Sequence, residues 1–228
     1  MAGIPAKTVC VLVIQAHPDD ADNTSGGTIA RWASEGREIH YVLCTSGNRG
    51  SNDPTMTSER LELLREQEEQ NAADILGVKS LIFLRHEDGE LEETLPLRHE
   101  LARIIRRLKP DVLMTHDPWT RYMIHPDHRA VGFTALAAIM EAGNQMYRDE
   151  MAPHTVSEVY LFHTDNPDYW VDITATIDIK IRATQQHKSQ IAHSSEAMAE
   201  RFRERAKRAG LEHNMPFAEG FKAISTRH

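Results

Sequence analysis

The sequence predicts an α/β fold in which a mostly parallel sheet carries helices on both faces. Segments rich in Val, Ile and Leu alternate four times with segments whose apolar residues repeat at a helical period. Polar stretches that contain histidine lie beyond two of the predicted strands. Because ligand crevices in parallel sheets lie beyond the carboxyl ends of the strands, the same alternation predicts where a functional site would be found.

Each predicted element follows from a local pattern. Continuous apolar runs indicate buried strands, whereas apolar faces between a polar cap and a glycine or proline indicate helices. The predicted strands span residues 8–14, 38–44, 80–84, 112–115, 156–162 and 170–173, and the predicted helices span residues 25–35, 57–76, 96–108, 125–141, 174–187 and 196–209. Together they predict one Rossmann-like domain over residues 1–228, in which the C-terminal tail has no assigned element.

Composition and charge narrow the classes of partner and location. The chain has 228 residues, of which 40% are hydrophobic and 26% charged, as in a globular domain. Its net charge of -8 and the lack of a Lys/Arg block predict no nucleic-acid partner. We find neither a signal peptide nor an apolar stretch near the ~20 residues that span a bilayer. Cys10 and Cys44 lie in apolar runs, which indicates buried thiols in a reducing cytoplasm rather than a disulfide.

Two His-Pro-Asp stretches occupy similar places in the predicted fold. His17-Pro18-Asp19-Asp20 follows the first strand, and His125-Pro126-Asp127-His128 follows the loop after the fourth strand. His17 and Asp20 are three residues apart, as are His125 and His128, and this spacing brings side chains to one side of a turn. We therefore expect the two stretches to meet in space at the carboxyl edge of the sheet.

A metal site is one interpretation of these stretches, and helix capping is the other. A single His-Pro-Asp turn is explained by an aspartate that caps the following helix. Two such stretches, both beyond strands, favour a metal held by nitrogen and oxygen ligands. Three such ligands with an open fourth position describe a catalytic zinc site rather than a structural one.

The paired motifs are those of a known family. They are joined along the chain, in that family's order, by Gly26-Gly27-Thr28, Arg65-x-x-Glu68, Asp88-Gly89, Lys109-Pro110-Asp111, Trp170-Val171-Asp172-Ile173 and His187-Lys188-Ser189-Gln190. On these residues the chain resembles the PIG-L/LmbE-like zinc-dependent N-deacetylases of N-acetylglucosamine (GlcNAc) conjugates. The resemblance covers almost the whole chain.

Residue roles can be carried over by position. The resemblance implies that His17, Asp20 and His128 hold Zn²⁺, one ion per chain, with Fe²⁺ as an alternative. It implies that Asp19 is the general base for a metal-activated water. It also implies that His125 stabilises or protonates the tetrahedral intermediate.

Two further residues are implied substrate contacts. The resemblance assigns Arg65 and Asp88 to sugar hydroxyl groups. From the residues alone, Arg65 is equally well explained as a solvated helix charge, and Asp88-Gly89 as an ordinary turn. His116 and His187 are expected to be structural, the latter in helix packing.

The sequence departs from the family pattern at two positions. The family usually has Glu directly after the paired aspartates, where this chain has Ala21 followed by Asp22. Some members also have a tyrosine two residues before the first histidine of the second motif, where this chain has Met123 after Tyr122. The first departure bears on the support of the metal site, and the second on an oxyanion contact.

The function implied is removal of the acetyl group from the GlcNAc moiety of a small sugar conjugate. The expected partner is that small molecule, and the resemblance also implies a homo-oligomer. A zinc amidase for a larger amide or thiol conjugate is one rival. A catalytically silent sugar-binding protein, motivated by Ala21, is the other.

Overall fold

Strands and helices alternate along most of the chain. The computed structural model describes residues 8–191 and 195–226. In chain order its elements are β1 (Cys10–Gln15), α1 (Asp20–Ser34), β2 (Glu38–Thr45), α2 (Ser58–Leu76), β3 (Ser80–His86), α3 (Leu95–Leu108), β4 (Val112–His116), α4 (Pro126–Gly143), β5 (Glu158–Phe162), β6 (Tyr169–Asp172), α5 (Ile177–Thr184), α6 (Ser195–Gly210) and β7 (Ala218–Ser225).

The strands form one seven-stranded sheet in the order β3-β2-β1-β4-β5-β7-β6. The first five strands along the chain pair in parallel, whereas β7 pairs antiparallel with β5 and β6. The chain leaves β1 for β2 on one side and later returns to β4 on the other side. The carboxyl ends of β1 and β4 therefore flank a switch point, where α/β sheets commonly bind ligands.

The sheet separates two hydrophobic cores, and β1 supplies both. Val11 and Val13 face the core covered by α1, α2 and α5, whereas Leu12 and Ile14 face the core covered by α3 and α4. All four side chains are buried, as expected for a central parallel strand. The predicted Rossmann-like architecture, with helices on both faces, is confirmed.

Caps explain where several helices begin and end. The Thr57 side chain accepts a hydrogen bond from Arg60 N–H at the start of α2, and Gly77 ends that helix with φ 80°. Pro126 is the first residue of α4, where a missing N–H leaves no bond unmade. This start places His128 in the first turn of α4, next to the sheet edge.

Three sequence-based expectations about elements were wrong. Helix α1 begins at Asp20 instead of residue 25, because Ser25 is buried within the helix, with its hydroxyl 3.2 Å from that of Thr24, instead of capping a later start. The predicted helix over residues 174–187 is limited to α5. The tail without an assigned element contains β7, which is inserted between β5 and β6.

The expectation of two buried thiols is met in part. Cys10 and Cys44 lie on neighbouring strands as thiols; Cys10 is half-buried, whereas Cys44 is buried and this burial raises its pKa. Within residues 8–191 and 195–226, no helix has the length and apolar character needed to cross a bilayer.

Candidate metal centre and active site

Three side chains from the two His-Pro-Asp stretches converge at the switch point. His17 Nδ1 lies 3.2 Å from His128 Nε2, and each nitrogen also approaches the Asp20 carboxylate. The His17 Nδ1–Asp20 Oδ2 distance is 3.3 Å, and the His128 Nε2–Asp20 Oδ1 distance is 3.2 Å. The predicted meeting of the two stretches is therefore present in the fold.

These separations fit a metal ion. Ligand atoms about 2.0–2.1 Å from a tetrahedral zinc lie about 3.3 Å from one another, which is the spacing of these three groups. His125 is the competing ligand, because His17, His125 and His128 also bring nitrogens within 4.8 Å of one another. Asp20 approaches both His17 and His128, through Oδ2 at 3.3 Å and Oδ1 at 3.2 Å respectively, and on this ground we favour Asp20 as the third ligand.

The negative carboxylates around His17 also favour binding of a cation. Its Nε2 lies 3.1 Å from Asp88 Oδ1 and 3.2 Å from Asp127 Oδ2. Burial by itself would lower the pKa of His17, but hydrogen bonds to Asp127, Asp20 and Asp88 outweigh it and hold that pKa well above its usual range. Carboxylates on Nε2 favour the tautomer with its proton there, which leaves the Nδ1 lone pair free for a metal.

Backbone N–H groups hold the Asp127 carboxylate in place. Gly89 N–H donates to Asp127 Oδ2 at 2.7 Å, and Leu91 N–H donates to Asp127 Oδ1 at 3.2 Å. Asp88 also accepts the Arg49 backbone N–H. The loop between β3 and α3 thus fixes the carboxylates that orient His17.

Asp19 lies beside the candidate metal ligands in a strained backbone conformation. Its φ is 92°, in the left-handed region, and its side chain is partly exposed. Burial and the neighbouring Asp20 charge raise the pKa of Asp19 to about 6, although the positive charge of Arg65 opposes the rise. A carboxylate of this kind can both take and return a proton near neutral pH.

Arg65 is buried, which contradicts its interpretation as a solvated helix charge. It donates to Pro18 O at 2.7 Å and to Gly47 O at 3.0 Å, and its guanidinium is 3.7 Å from Asp19 Oδ2. Gly47 has φ 63°, and a Cβ there would meet the guanidinium at 2.1 Å. The glycine in this loop therefore makes room for the arginine that steadies the Pro18-Asp19 turn.

His125 is the N-cap residue of α4 and packs edge-on against His17, with ring centroids 4.5 Å apart. Burial, together with His17 and His128, holds the pKa of His125 below its usual value. A neutral ring donates a hydrogen bond instead of supplying a positive charge. Its Nδ1 is buried and has no hydrogen-bond partner among the described residues.

A buried polar cluster lies behind Asp19, and the sequence reasoning missed its centre. Glu69 is fully buried, accepts the Asp19 backbone N–H at 3.0 Å and accepts Gln15 Nε2 at 2.9 Å. Asp22 Oδ2 lies 2.8 Å from His187 Nε2, and Asp22 Oδ1 accepts the Tyr41 hydroxyl at 3.1 Å. Glu69 directly follows the Arg65-x-x-Glu68 motif in the sequence. Helix periodicity alone did not indicate that its side chain would have a role.

This cluster changes two expectations. His187 contacts the Asp22 carboxylate and does not serve helix packing alone. Ala21 is fully buried in the hydrophobic core. The position at which the family usually has Glu therefore carries a small apolar side chain in this protein. Asp22 supplies a buried carboxylate one residue later.

Two histidines flank the ligands, of which His116 had been expected to be structural. His116 Nε2 lies 3.3 Å from Asp20 Oδ2, and its ring stacks on His128 with centroids 4.3 Å apart. His163, with φ 57°, also stacks on His128. His116 therefore contacts two of the candidate ligands, Asp20 and His128.

Two aromatic side chains of the loop after β4 are exposed. Trp119 is 59% exposed and Tyr122 is 93% exposed, with φ 60° at Tyr122. Trp119 packs edge-on against Phe133, with ring centroids 5.4 Å apart.

Relatives of known kind share both the sequence and the fold. Residues 12–139 match the family model "PIG-L: GlcNAc-PI de-N-acetylase". A diacetylchitobiose deacetylase from Thermococcus kodakarensis is 38% identical over 185 residues, which cover 79% of this chain and 69% of the relative.

Two solved structures extend over nearly all of the chain. An N,N'-diacetylchitobiose deacetylase from Pyrococcus horikoshii has a TM-score of 0.89 and 33% identity, and the match covers 95% of this chain and 84% of that one. The 4-carboxy-2-hydroxymuconate hydratase GalB from Pseudomonas putida has a TM-score of 0.84 and 26% identity, and the match covers 97% and 98% of the two chains. Since more than half of the chain matches the family model, the protein belongs to the PIG-L family.

Proposed function

We propose that this protein is a metal-dependent hydrolase that removes the acetyl group from the GlcNAc moiety of a small sugar conjugate. The observation that carries the proposal is the meeting of His17 Nδ1, Asp20 and His128 Nε2 beside the Asp19 carboxylate. Membership of the PIG-L family and the likeness to diacetylchitobiose deacetylases support it.

The three converging side chains would hold the metal. The imidazole and carboxylate donors suit zinc, with Fe²⁺ as the alternative. A bound zinc would supply Lewis acidity toward the acetamide oxygen and lower the pKa of water. The ring of His17, oriented by Asp88 and Asp127, presents Nδ1 for that purpose.

Asp19 is the proposed general base and later the general acid. It would accept the proton of the attacking water and then return that proton to the departing amine. A pKa raised to about 6 leaves the carboxylate ionised at neutral pH while keeping the returning proton acidic enough to transfer. The products are acetate and a free amino sugar.

His125 is the proposed stabiliser of the tetrahedral intermediate. Its lowered pKa makes the neutral ring the form present at neutral pH, so the ring would donate one N–H to the developing oxyanion. Arg65 and Asp88 remain proposed substrate contacts. In the structure Arg65 donates to the backbone carbonyls of Pro18 and Gly47, and Asp88 contacts the His17 ring.

Amine release from acetylated sugars tests the proposal. Metal-loaded protein is expected to release amine from GlcNAc conjugates, and Asp19→Asn is expected to lower kcat by about 10²–10⁴ while metal content stays the same. Larger amides and thiol conjugates in the same panel test the amidase rival. If metal-loaded wild type binds the sugars without turnover, the silent sugar-binding rival is correct. Sedimentation of the same sample measures the homo-oligomer that the family resemblance implies.

A second candidate function is hydration of an unsaturated carboxylate. It is favoured by the likeness to the Pseudomonas hydratase, which extends over 97% of this chain. A metal and a general base can add water to a polarised double bond as well as to an amide carbonyl. Loss of ultraviolet absorbance from a hydroxymuconate, without amine release from any acetamide, would replace the deacetylase proposal with this one.

A further inference from the structure

A cavity of about 680 Å³ is lined by Asp19, which lies next to the candidate metal ligands. Asn23 of α1, His163 and Gln190 also line it. Helix α6 contributes a further part of the lining. A substrate whose reacting group lies at Asp19 would therefore place its remaining part beside α6.

The residues of α6 that line the cavity form one stripe along the helix. Met198, Arg201, Phe202, Arg205 and Arg208 line the cavity, at spacings that bring side chains to one face. The stripe borders the inner face of the helix, where Ala199 and Ala206 are buried in the core. Anchoring by these alanines holds the arginines at the cavity.

The three arginines of the stripe are exposed and have no acidic partner in the described part of the chain. Across residues 8–191 and 195–226, Arg201, Arg205 and Arg208 form no hydrogen bond and no ion pair. Arg203 of the same helix differs, because its guanidinium is 2.8 Å from Asp178 Oδ1. Glu204 is the one acidic residue of α6 at the cavity, so positive charge dominates this wall.

This local charge stands out against the whole chain, whose net charge is -8. Arginines three and four residues apart repel one another on a helix, and a bound anion would relieve that repulsion. Guanidinium groups bind phosphate and carboxylate through paired hydrogen bonds. The position beside Asp19 makes a group carried by the substrate the natural counter-ion.

We propose that the arginines of α6 form a subsite for an anionic group, phosphate or carboxylate, so that the preferred substrate is an anionic conjugate of GlcNAc. This inference rests on the proposed deacetylation. It adds a substrate class that the metal centre alone does not define.

Selectivity between matched substrates tests the subsite. The substrates are GlcNAc 6-phosphate for phosphate, a glycolic acid GlcNAc glycoside for carboxylate, and methyl GlcNAc glycoside and N,N'-diacetylchitobiose as neutral compounds. The readout is the ratio of kcat/KM for each anionic substrate to that for the neutral ones. We expect wild type to favour one anionic substrate by about tenfold or more, and the anion favoured identifies the group.

The variants separate the subsite from general charge effects. Replacing Arg201, Arg205 and Arg208 together by Ala is expected to lower the selectivity ratio about tenfold, mainly through KM. Lys207→Ala removes a charge from an exposed site of the same helix away from the cavity and is expected to leave the ratio unchanged. An equal ratio in wild type and the triple variant would overturn the inference.

Calorimetry distinguishes failure of this inference from failure of the proposed function. If no acetamide is turned over, the deacetylase proposal fails, and GlcNAc 6-phosphate and inorganic phosphate are titrated into the protein. Binding that is lost in the triple variant and kept in Lys207→Ala supports the subsite by itself. Binding that persists in the triple variant, or is absent from wild type, overturns the subsite.

Discussion

The carboxylate of Glu69 accepts the backbone N–H of Asp19 at 3.0 Å, and so holds the catalytic candidate from behind. Asp19 has φ 92°, a conformation that costs a non-glycine residue on the order of 1–3 kcal/mol and needs support from its surroundings. Glu69 is fully buried and also accepts Gln15 Nε2 through its other oxygen.

Glu69→Gln is expected to lower kcat by about tenfold with little change in KM, because one amide oxygen cannot replace both acceptors. Steady-state kinetics on the best acetylated sugar measure the change, and zinc content checks that the metal is retained. Glu59→Gln, at an exposed site of α2, is the control. Equal kinetics in the two variants would show that Glu69 does not position Asp19.

The proposed ligand set predicts which histidines are needed for zinc. His17→Ala and His128→Ala are each expected to weaken zinc affinity by more than about 100-fold, because each removes one of three protein ligands. Competition with a chromophoric chelator measures the affinity. His86→Ala, which removes a half-buried histidine paired with Glu100, is the control.

The same assay decides between Asp20 and His125 as the third ligand. We expect Asp20→Ala to lose zinc and His125→Ala to keep it while losing activity. The reverse result would assign the metal to the trio of His17, His125 and His128, whose nitrogens also lie within 4.8 Å of one another.

The contact between His17 and a carboxylate that is not a proposed ligand gives a separate prediction. The Asp127 carboxylate accepts from Gly89 and Leu91 N–H and contacts His17 through its two oxygens. Asp127→Asn keeps only one of these oxygens, and its NH₂ group replaces the other. We expect zinc affinity to fall by about 10–100-fold with the ligands intact. Asp149→Asn, in the loop after α4 where Asp149 faces Arg103, is a control for the loss of charge. An unchanged affinity in Asp127→Asn would remove this carboxylate from the metal site.

The pair of His187 and Asp22 predicts a pH dependence of stability. Burial by itself lowers the pKa of His187, but Asp22 and Glu69 raise it to about 9, above the ordinary 6.5. The stabilisation is therefore complete below about pH 6.5 and is lost as pH rises through about 9. The difference corresponds to on the order of 3 kcal/mol.

Urea unfolding at about pH 6 and about pH 9.5 measures this contribution as a free energy of unfolding. The decrease between the two pH values is expected to be smaller in His187→Gln than in wild type. Parallel decreases in both proteins would contradict the linkage.

A buried ion pair predicts the cost of removing one partner. Lys180 Nζ is 2.5 Å from Glu219 Oε1, and Glu219 also accepts the N–H groups of Gly27 and Thr28. Lys180→Met is expected to lower the free energy of unfolding by about 3–5 kcal/mol, because it leaves a buried carboxylate without its counter-ion.

Lys222→Met is the matched control for that pair. Lys222 binds Asp168 at the surface, and removal of an exposed pair costs about 1 kcal/mol or less. Chemical denaturation of both variants gives the comparison. Equal losses would mean that the burial of Lys180 and Glu219 does not set the cost.

The sequence predicted those parts of the fold that depend on local residue patterns. The continuous apolar run of β1 and the cap and glycine around α2 specify those elements within a few residues. The meeting of His17 with His128 also followed, because parallel strands bring their carboxyl ends to one edge.

The parts that were missed depend on partners far along the chain. Strand β7 is paired with β5 and β6, and nothing within its own eight residues specifies insertion between them. Glu69 gains its role only because α2 packs behind the turn that holds Asp19. The start of α1 was predicted at Ser25, a residue type that often caps helices, but Ser25 lies inside a helix that already begins at Asp20.

The left-handed backbone at Asp19 bears on how such a protein can lose its chemistry in evolution. Asn and Gly are the residues that adopt this conformation most readily, and each is one nucleotide change away from Asp. Either replacement would remove the proposed base while sparing the backbone geometry and the three ligands. Inactive descendants that still fold and still bind a metal are therefore a single mutation from this sequence, and position 19 is where we would search for them.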